Sequence, residues 1–429
     1  MSTGTRRTLE LLKAFESRNV TYLEPDGSWP IVWERARGAE VWDAEGRRYL
    51  DLTAAFGVAG AGHANPRVVR AGQRQMARLL HGMGDVHPHA LKARLARELS
   101  RLTFERWGAG RAKTLFCNSG FEAVEAALKT AMLATGNPGV IAFHGAYHGL
   151  GYGALNVTHR DYFSSPFRRQ LREFARFVPF PKSPMDLDAV EAGVGRLLAR
   201  AKAATVLVEP VQARGGINIP PAGFLRRLRR LCDEHDALLV LDEIYTGFGR
   251  TGRWFACEHC GVAPDVVCLG KALTGGFPLS ACVGRAELMD AAWPAATGEA
   301  LHTSTFLGHP VGCAMALAQI QEIRARKLVE RSAALGRSLL EWLRAEVQCR
   351  GLLCEIRGLG LMAGLELRWP DGRAATAAAL AAVKEMLHRG FILLPEGEAA
   401  NVIGFTPPLT ISGRQLRATV RALAEVLLR

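Results

Sequence analysis

No stretch of this 429-residue sequence is long and apolar enough to span a bilayer. The longest candidates, around 374–383 and 311–320, run for about ten residues between charged flanks, and a spanning helix needs roughly twenty. The amino terminus (Met1-Ser-Thr-Gly-Thr-Arg-Arg-Thr-Leu-Glu10) lacks the apolar core of a secretory signal. Internal repeats and low-complexity linkers are also missing, which excludes solenoid arrays and tethered modules. The nine cysteines are scattered, and the one Cys-x-x-Cys, Cys257-Glu-His-Cys260, has no second pair and no histidine pair at zinc spacing. Cys117, Cys232, Cys268 and Cys313 fall inside apolar strand or helix patterns, so the thiols are expected to be reduced and to act as small hydrophobes, with no metal site. These absences point to a soluble cytoplasmic protein with no membrane partner.

At 48% hydrophobic and 22% charged residues, the composition is that of an ordinary globular chain. Its length allows two or three domains. The formal charge of +13 raises the question of nucleic acid. Arg226-Arg-Leu-Arg-Arg230 and Arg168-Arg-Gln-Leu-Arg172, however, lie in segments whose Leu and Phe residues recur at helical spacing. Solvated helix faces are therefore expected, with no nucleic-acid partner, and the basic surface serves to attract small anions.

Residues 8–20 read as a short amphipathic helix and 30–52 as a meander of short strands turning at Gly38 and at 43–46. The run 54–63 is too glycine-rich for a regular element. Asn65-Pro66 opens a helix over 66–80, and another follows at 90–102. From Lys113 onward, strands (113–117, 140–143, 205–209, 238–242, 265–269, 279–284) alternate with helices (122–135, 186–202, 222–235). Such βαβ alternation demands a mostly parallel sheet covered by helices on both faces. A long helical stretch over 311–346 leads to strand-like pieces at 361–367, 391–394 and 402–405 between helices at 376–389 and 412–428. The division expected is an N-terminal segment 1–60 joining a small α+β domain, a large domain 61–318, and the rest of the small domain in 319–429.

The chemistry gathers on 237–271. The apolar run Ala237–Leu241 ends in Asp242-Glu243, a glycine-punctuated loop follows, and a second apolar run ends in Gly270-Lys271. In a parallel sheet, ligands sit outside the carboxyl ends of the strands, so one carboxylate and one lysine reach the same edge. A cofactor that needs an anionic partner for a ring nitrogen and a lysine for a Schiff base is pyridoxal 5′-phosphate.

Asp242-Glu-Ile-Tyr-Thr-Gly-Phe-Gly-Arg-Thr-Gly252 and Pro264-Asp-Val-Val-Cys-Leu-Gly-Lys-Ala-Leu-Thr-Gly-Gly-Phe-Pro-Leu279 resemble the motifs of the class III (ω-) aminotransferases, enzymes of fold type I. The resemblance runs from Val41 to Ile411. It implies a mostly parallel seven-stranded sheet and a homodimer with shared active sites. It also implies ping-pong exchange of an amino group between an amine or amino acid and an oxo acid, ketone or aldehyde. Lys271 becomes the Schiff-base lysine and proton carrier, Asp242 the partner of the pyridine nitrogen, and Glu243 its polar support. Asn118-Ser-Gly-Phe-Glu-Ala123 is similar to the phosphate-binding turn, with Ser119, Gly120 and the Phe121 amide around the phosphate. Tyr147 of Tyr-His-Gly149 stacks on the ring. Glu209 and Gln212 of Glu-Pro-Val-Gln lie near the cofactor, and Thr305 of Thr-Ser-Thr-Phe-Leu-Gly-His-Pro310 reaches the phosphate in the neighbouring subunit. An aminomutase of the glutamate-1-semialdehyde type, or an epimerase, is the alternative on the same scaffold; a cofactor-free binding protein is the third reading, opposed by intact Asp242 and Lys271.

Several positions depart from the family. Phe121 replaces a hydroxyl residue, Tyr245 replaces a glutamine beside the cofactor, and Leu150 replaces the arginine that acetylornithine and ornithine aminotransferases carry. Arg214 stands where many members have glutamate, and Gly404 where they have the arginine that clamps a carboxylate. Losing only that arginine would leave a buried acid unpaired, whereas losing both is coherent. Arg214 is therefore expected to recognise a substrate carboxylate, and Phe56 to form an apolar wall of the substrate pocket.

Overall fold

A computed structural model describes residues 3–24, 29–200 and 202–428. The first helix, Thr3–Phe15, begins earlier and ends sooner than the expected 8–20, because the Glu45 carboxylate accepts from both the backbone amide (2.8 Å) and hydroxyl (2.6 Å) of Thr5 and ties the chain down there. Trp33–Arg37 (β1), Glu40–Asp43 (β2) and Arg48–Asp51 (β3) form the expected antiparallel meander.

The large sheet holds Ala112–Cys117 (β4), Val140–Phe143 (β5), Ala175–Val178 (β6), Thr205–Val208 (β7), Leu238–Asp242 (β8), Val266–Leu269 (β9) and Ser280–Arg285 (β10). Its order is β4-β10-β9-β8-β7-β5-β6, and only β10 runs against the rest. Strands β5, β7, β8 and β9 are buried at every residue, which is why they read as unbroken apolar runs. This is the mostly parallel seven-stranded α/β architecture the sequence implies. Leu353–Gly358 (β11), Ala363–Arg368 (β12), Phe391–Ile392 (β13), Leu394–Glu396 (β14) and Val402–Phe405 (β15) follow. β11, β12, β15 and β14 make an antiparallel sheet, while β13 pairs in parallel with β3.

Local chemistry explains most boundaries. The Asn65 side chain accepts from the amides of Arg67 (3.0 Å) and Val68 (3.4 Å) at the start of Pro66–Arg78. Gly136 takes a left-handed φ of 68° to end Gly120–Thr135. The helical stretch expected over 311–346 is made of two helices, Pro310–Ala325 and Leu328–Glu346, separated by a left-handed Lys327. In Phe224–Glu234 the apolar face is buried and the arginines face carboxylates: Arg227 meets Asp188 and Glu191, and Arg229 meets Asp233 and Asp265. The second basic run is not helical as expected but a 3₁₀ turn, Ser165–Gln170, that then unwinds. Cys117, Cys232, Cys268 and Cys313 are free and buried. Cys349 and Cys354 correct the expectation of reduced thiols throughout: they are joined in a disulfide at the entry to β11, where the turn brings their Cα atoms to 6.5 Å. Among the described residues no helix is long and apolar enough to cross a membrane.

Candidate active site

The ends of β7, β8 and β9 bring three charged groups to one sheet edge. Asp242, the last residue of β8, is buried; its Oδ1 accepts from the Ile244 amide at 3.0 Å and its Oδ2 lies 2.8 Å from His148 Nδ1. His148 is buried too, its backbone amide donating to Thr158 Oγ1 at 3.0 Å, and its Nε2 has no partner among the described residues. Sequence reasoning quoted His148 only as the neighbour of Tyr147. Nothing local in Tyr-His-Gly shows that the ring reaches 94 residues ahead to Asp242.

Glu209 follows β7 and accepts from the amides of Tyr147 (3.0 Å) and Ala213 (3.1 Å). Burial pushes its carboxyl up to about 7, with His148 opposing and Asp242 reinforcing that shift. Lys271 follows β9 in a left-handed conformation (φ 40°) that is costly for a side-chain-bearing residue. Burial pulls its amine below the usual lysine range, against the pull of Asp242, Glu209 and Glu396, and Nζ lies 4.4 Å from the centre of the Tyr245 ring.

Tyr245 stands where a glutamine was expected to contact the cofactor. Its buried hydroxyl meets Thr406 Oγ1 at 3.1 Å, and its ring lies against Gly57, where a Cβ would come within 2.8 Å of Cε1. That approach ends a strained turn in which Ala54, Ala55 and Phe56 all have positive φ (48°, 48° and 60°). Buried Asp51 holds the turn, accepting from the Thr53 amide (2.8 Å), the Thr53 hydroxyl (2.6 Å) and the Ala55 amide (3.1 Å), with His63 Nε2 at 2.7 Å. Phe56 itself is 55% exposed.

Ser119 precedes the helix Gly120–Thr135, and its buried Oγ has no hydrogen-bond partner among the described residues. Phe121, the departure from a hydroxyl, covers two glycines: a Cβ at Gly149 would stand 2.3 Å from its Cβ, and one at Gly151 would stand 2.5 Å from Cδ2. Glu243 accepts from the Thr246 hydroxyl and the amides of Ala256 (2.9 Å) and Cys257 (2.8 Å), which ties down the glycine-rich loop. Gln212 was expected near the cofactor. Both ends of its amide are engaged elsewhere, Nε2 on His144 O (2.8 Å) and Oε1 by Asn218 Nδ2 (3.0 Å), so it braces the 212–218 turn. Thr305 is exposed, in the segment before Pro310–Ala325.

Arg214 is close to Tyr147, its guanidinium carbon 5.9 Å from the ring centre, and pairs with Glu396 at 3.4 Å. Glu396 is the residue that sequence reasoning missed. It lies on β14 beside Gly404 of β15, where a Cβ would meet Glu396 Cγ at 3.0 Å. Arg214 also faces a cavity of about 1500 Å³ whose walls include Leu150, Leu155, Tyr162, Phe163 and the N-terminal helix.

Comparison with known proteins agrees with this geometry. Residues 22–427 match the family model described as aminotransferase class-III. The acetylornithine aminotransferase of Methanosarcina mazei is 37% identical over 399 residues, covering 93% of this chain and 92% of that protein. The 5-aminovalerate aminotransferase of Pseudomonas aeruginosa is 38% identical over 405 residues, covering 92% and 93%. Among solved structures, the ornithine aminotransferase of Toxoplasma gondii superposes with a TM-score of 0.86 at 28% identity, covering 100% of this chain and 96% of that one. A charged strand edge of this composition, a fold shared end to end and a family match over nearly the whole length have one reading: the chain belongs to the class III aminotransferases, pyridoxal-phosphate-dependent enzymes of fold type I.

Proposed function

We propose that this transaminase acts on amines and oxo compounds of which at least one carries a carboxylate anchored by Arg214. The observation that carries the reading is the placement of Arg214: a cation that both lines the large cavity and lies 5.9 Å from the centre of the Tyr147 ring, in a site whose Gly404 supplies no guanidinium. The named relatives include an enzyme for 5-aminovalerate, a terminal amine with a carboxylate at the far end. Leu150 lines the same cavity, so the acetylornithine-type contact at that position is replaced by an apolar wall; Phe56, exposed and outside that lining, is proposed as a separate apolar contact for substrate.

The chain's residues suit the cofactor. A buried hydroxyl without a partner among the described residues, Ser119 Oγ, stands at the start of a sixteen-residue helix, where the amides of Gly120 and Phe121 favour a dianion. When bound, pyridoxal phosphate supplies an exchangeable carbonyl carbon and a ring that accepts electron density from the donor carbon. Asp242, fixed by His148 and the Ile244 amide, holds a proton at the ring nitrogen through charge pairing. Tyr147 would cover one face of the ring. Lys271 Nζ, made more nucleophilic by burial, would hold the cofactor at its carbonyl carbon and would carry the proton of the donor carbon. Glu209 backs the site through the Tyr147 and Ala213 amides, and Tyr245 packs against Lys271.

The reading extends to a homodimer in the cytoplasm, with Thr305 of one copy completing the phosphate site of the other, and to domain boundaries near 60 and 318. The test of Arg214 is Arg214→Gln, assayed by half-reaction kinetics with 5-aminovalerate and with pentan-1-amine. We expect kcat/KM to fall roughly 10–150-fold for the carboxylate donor, the worth of a charge-assisted hydrogen bond, and to change little for the amine. Equal kcat/KM for wild type and variant with 5-aminovalerate refutes the assignment.

A further inference from the structure

Glu396 is only 7% exposed, yet its Oε2 accepts no hydrogen bond from any described residue. Its contact with Arg214 Nη1, at 3.4 Å, is charge against charge without the short fork that makes a guanidinium–carboxylate pair hard to part. The groups that face it are Arg214 and Arg160 from the loops beyond β7 and β5, Lys271 after β9, Glu209 after β7 and the Tyr245 phenol after β8. Val402 opposes it across the ladder, and Gly404, diagonal to it and paired with Leu394, leaves the volume its side chain occupies, since a Cβ there would stand 3.0 Å from Glu396 Cγ. The two partners differ in freedom. Arg214 is 30% exposed toward the large cavity, whereas the Glu396 side chain is confined between β15 and the site floor.

We propose that Glu396 is a specificity-determining residue that holds Arg214 in the resting site and, when a substrate carboxylate takes the guanidinium, stays in place and accepts one proton from solvent. Binding of a carboxylate is thereby coupled to proton uptake. An amine without a carboxylate leaves the pair closed and takes up none, so one site serves both halves of a ping-pong cycle. The physical reason is the cost of a buried carboxylate whose cation has been withdrawn, which neutralisation removes. Burial already pushes the Glu396 carboxyl up to about 7 with Arg214 beside it, and withdrawing that cation raises it further. Affinity for carboxylates should therefore fall, by at most tenfold per pH unit, as pH rises above about 7.

This inference rests on Arg214 being the carboxylate anchor, and its test separates the two. Holoenzyme is titrated calorimetrically with pentanoate, a carboxylate with no amine to react, at pH 8 in two buffers of different ionisation enthalpy. Wild type should take up close to one proton per pentanoate bound. Glu396→Gln should take up almost none and bind pentanoate several-fold more tightly, its Arg214 no longer held. Pentanoate binding to wild type without proton uptake overturns the proposal, and this measurement needs no variant. An unchanged proton count in Glu396→Gln overturns it as well. If Arg214→Gln binds pentanoate like wild type, or wild type does not bind it, the anchor assignment fails and the inference falls with it. If Arg214→Gln loses binding while Glu396→Gln keeps the wild-type proton count, the inference alone fails.

Discussion

Replacing His148 with leucine removes the donor to Asp242 at nearly constant volume, and its effects should divide between cofactor and fold. The imidazole gives Asp242 Oδ2 a contact of 2.8 Å in a site where both side chains are buried. A hydrogen bond to a charged group contributes about 1.5–3 kcal/mol, and each 1.4 kcal/mol is tenfold. Without it, Asp242 keeps, among the described residues, only the Ile244 amide on its other oxygen. The cofactor ring then meets a poorly held carboxylate, so its dissociation constant should rise roughly 10–150-fold. The fold should suffer much less, because the same substitution deletes a buried Nε2 that has no partner among the described residues. The expected cost in unfolding free energy without cofactor is within about 1 kcal/mol. His148→Asn restores a nitrogen near the Nδ1 position and should recover most of the affinity. Apoenzyme is titrated with pyridoxal phosphate and followed by absorbance, in parallel with urea unfolding. A leucine variant that binds cofactor within about threefold of wild type, or one whose whole loss is accounted for by stability, refutes the positioning role.

Two further outcomes follow from the site's walls. Gly57→Ala forces a side chain into φ 81° and within 2.8 Å of the Tyr245 ring; strain and overpacking together should cost about 2–4 kcal/mol, read as a lower midpoint in urea unfolding. Glu209 has a folded value near 7 against an ordinary 4.5, so the folded state binds its proton more tightly than the unfolded chain. Its contribution is fully present below about 4.5 and is lost as pH rises through about 7, at most about 3 kcal/mol. Cofactor-free wild type should thus lose stability relative to Glu209→Gln between pH 5 and pH 8, and a difference independent of pH contradicts the assignment.

What was legible in the sequence follows burial. β5 and β8 fall on the expected residues because both faces are covered and the apolar run begins and ends with the strand. β6 and β11 went unread for the opposite reason: each is an edge strand, with Arg176 interrupting one and Glu355 and Arg357 the other. The helix break at Lys327 carries no glycine or proline to announce it. In the site, Asp242 and Lys271 were legible because each sits where an apolar run stops. His148 and Glu396 were not, since their partners lie 94 and 182 residues away and only the folded chain brings them together.

The pairing of β13 with β3 sets a distance within the proposed substrate pocket. Phe391 aligns with Leu50 and Ile392 with Asp51, and the Leu52 amide donates to Ile392 O at 3.0 Å. From that common ladder one chain runs on to Phe56 and the other to Glu396. Phe56 and Glu396 thus both run out from a single rung, so their separation from it along the chain is counted in residues. A one-residue insertion between 392 and 396 would turn Glu396 to the opposite face of its strand while Phe56 stayed where it is. Such an insertion is expected to change substrate range, read as altered kcat/KM across donors of graded length, with the cavity-lining residues untouched.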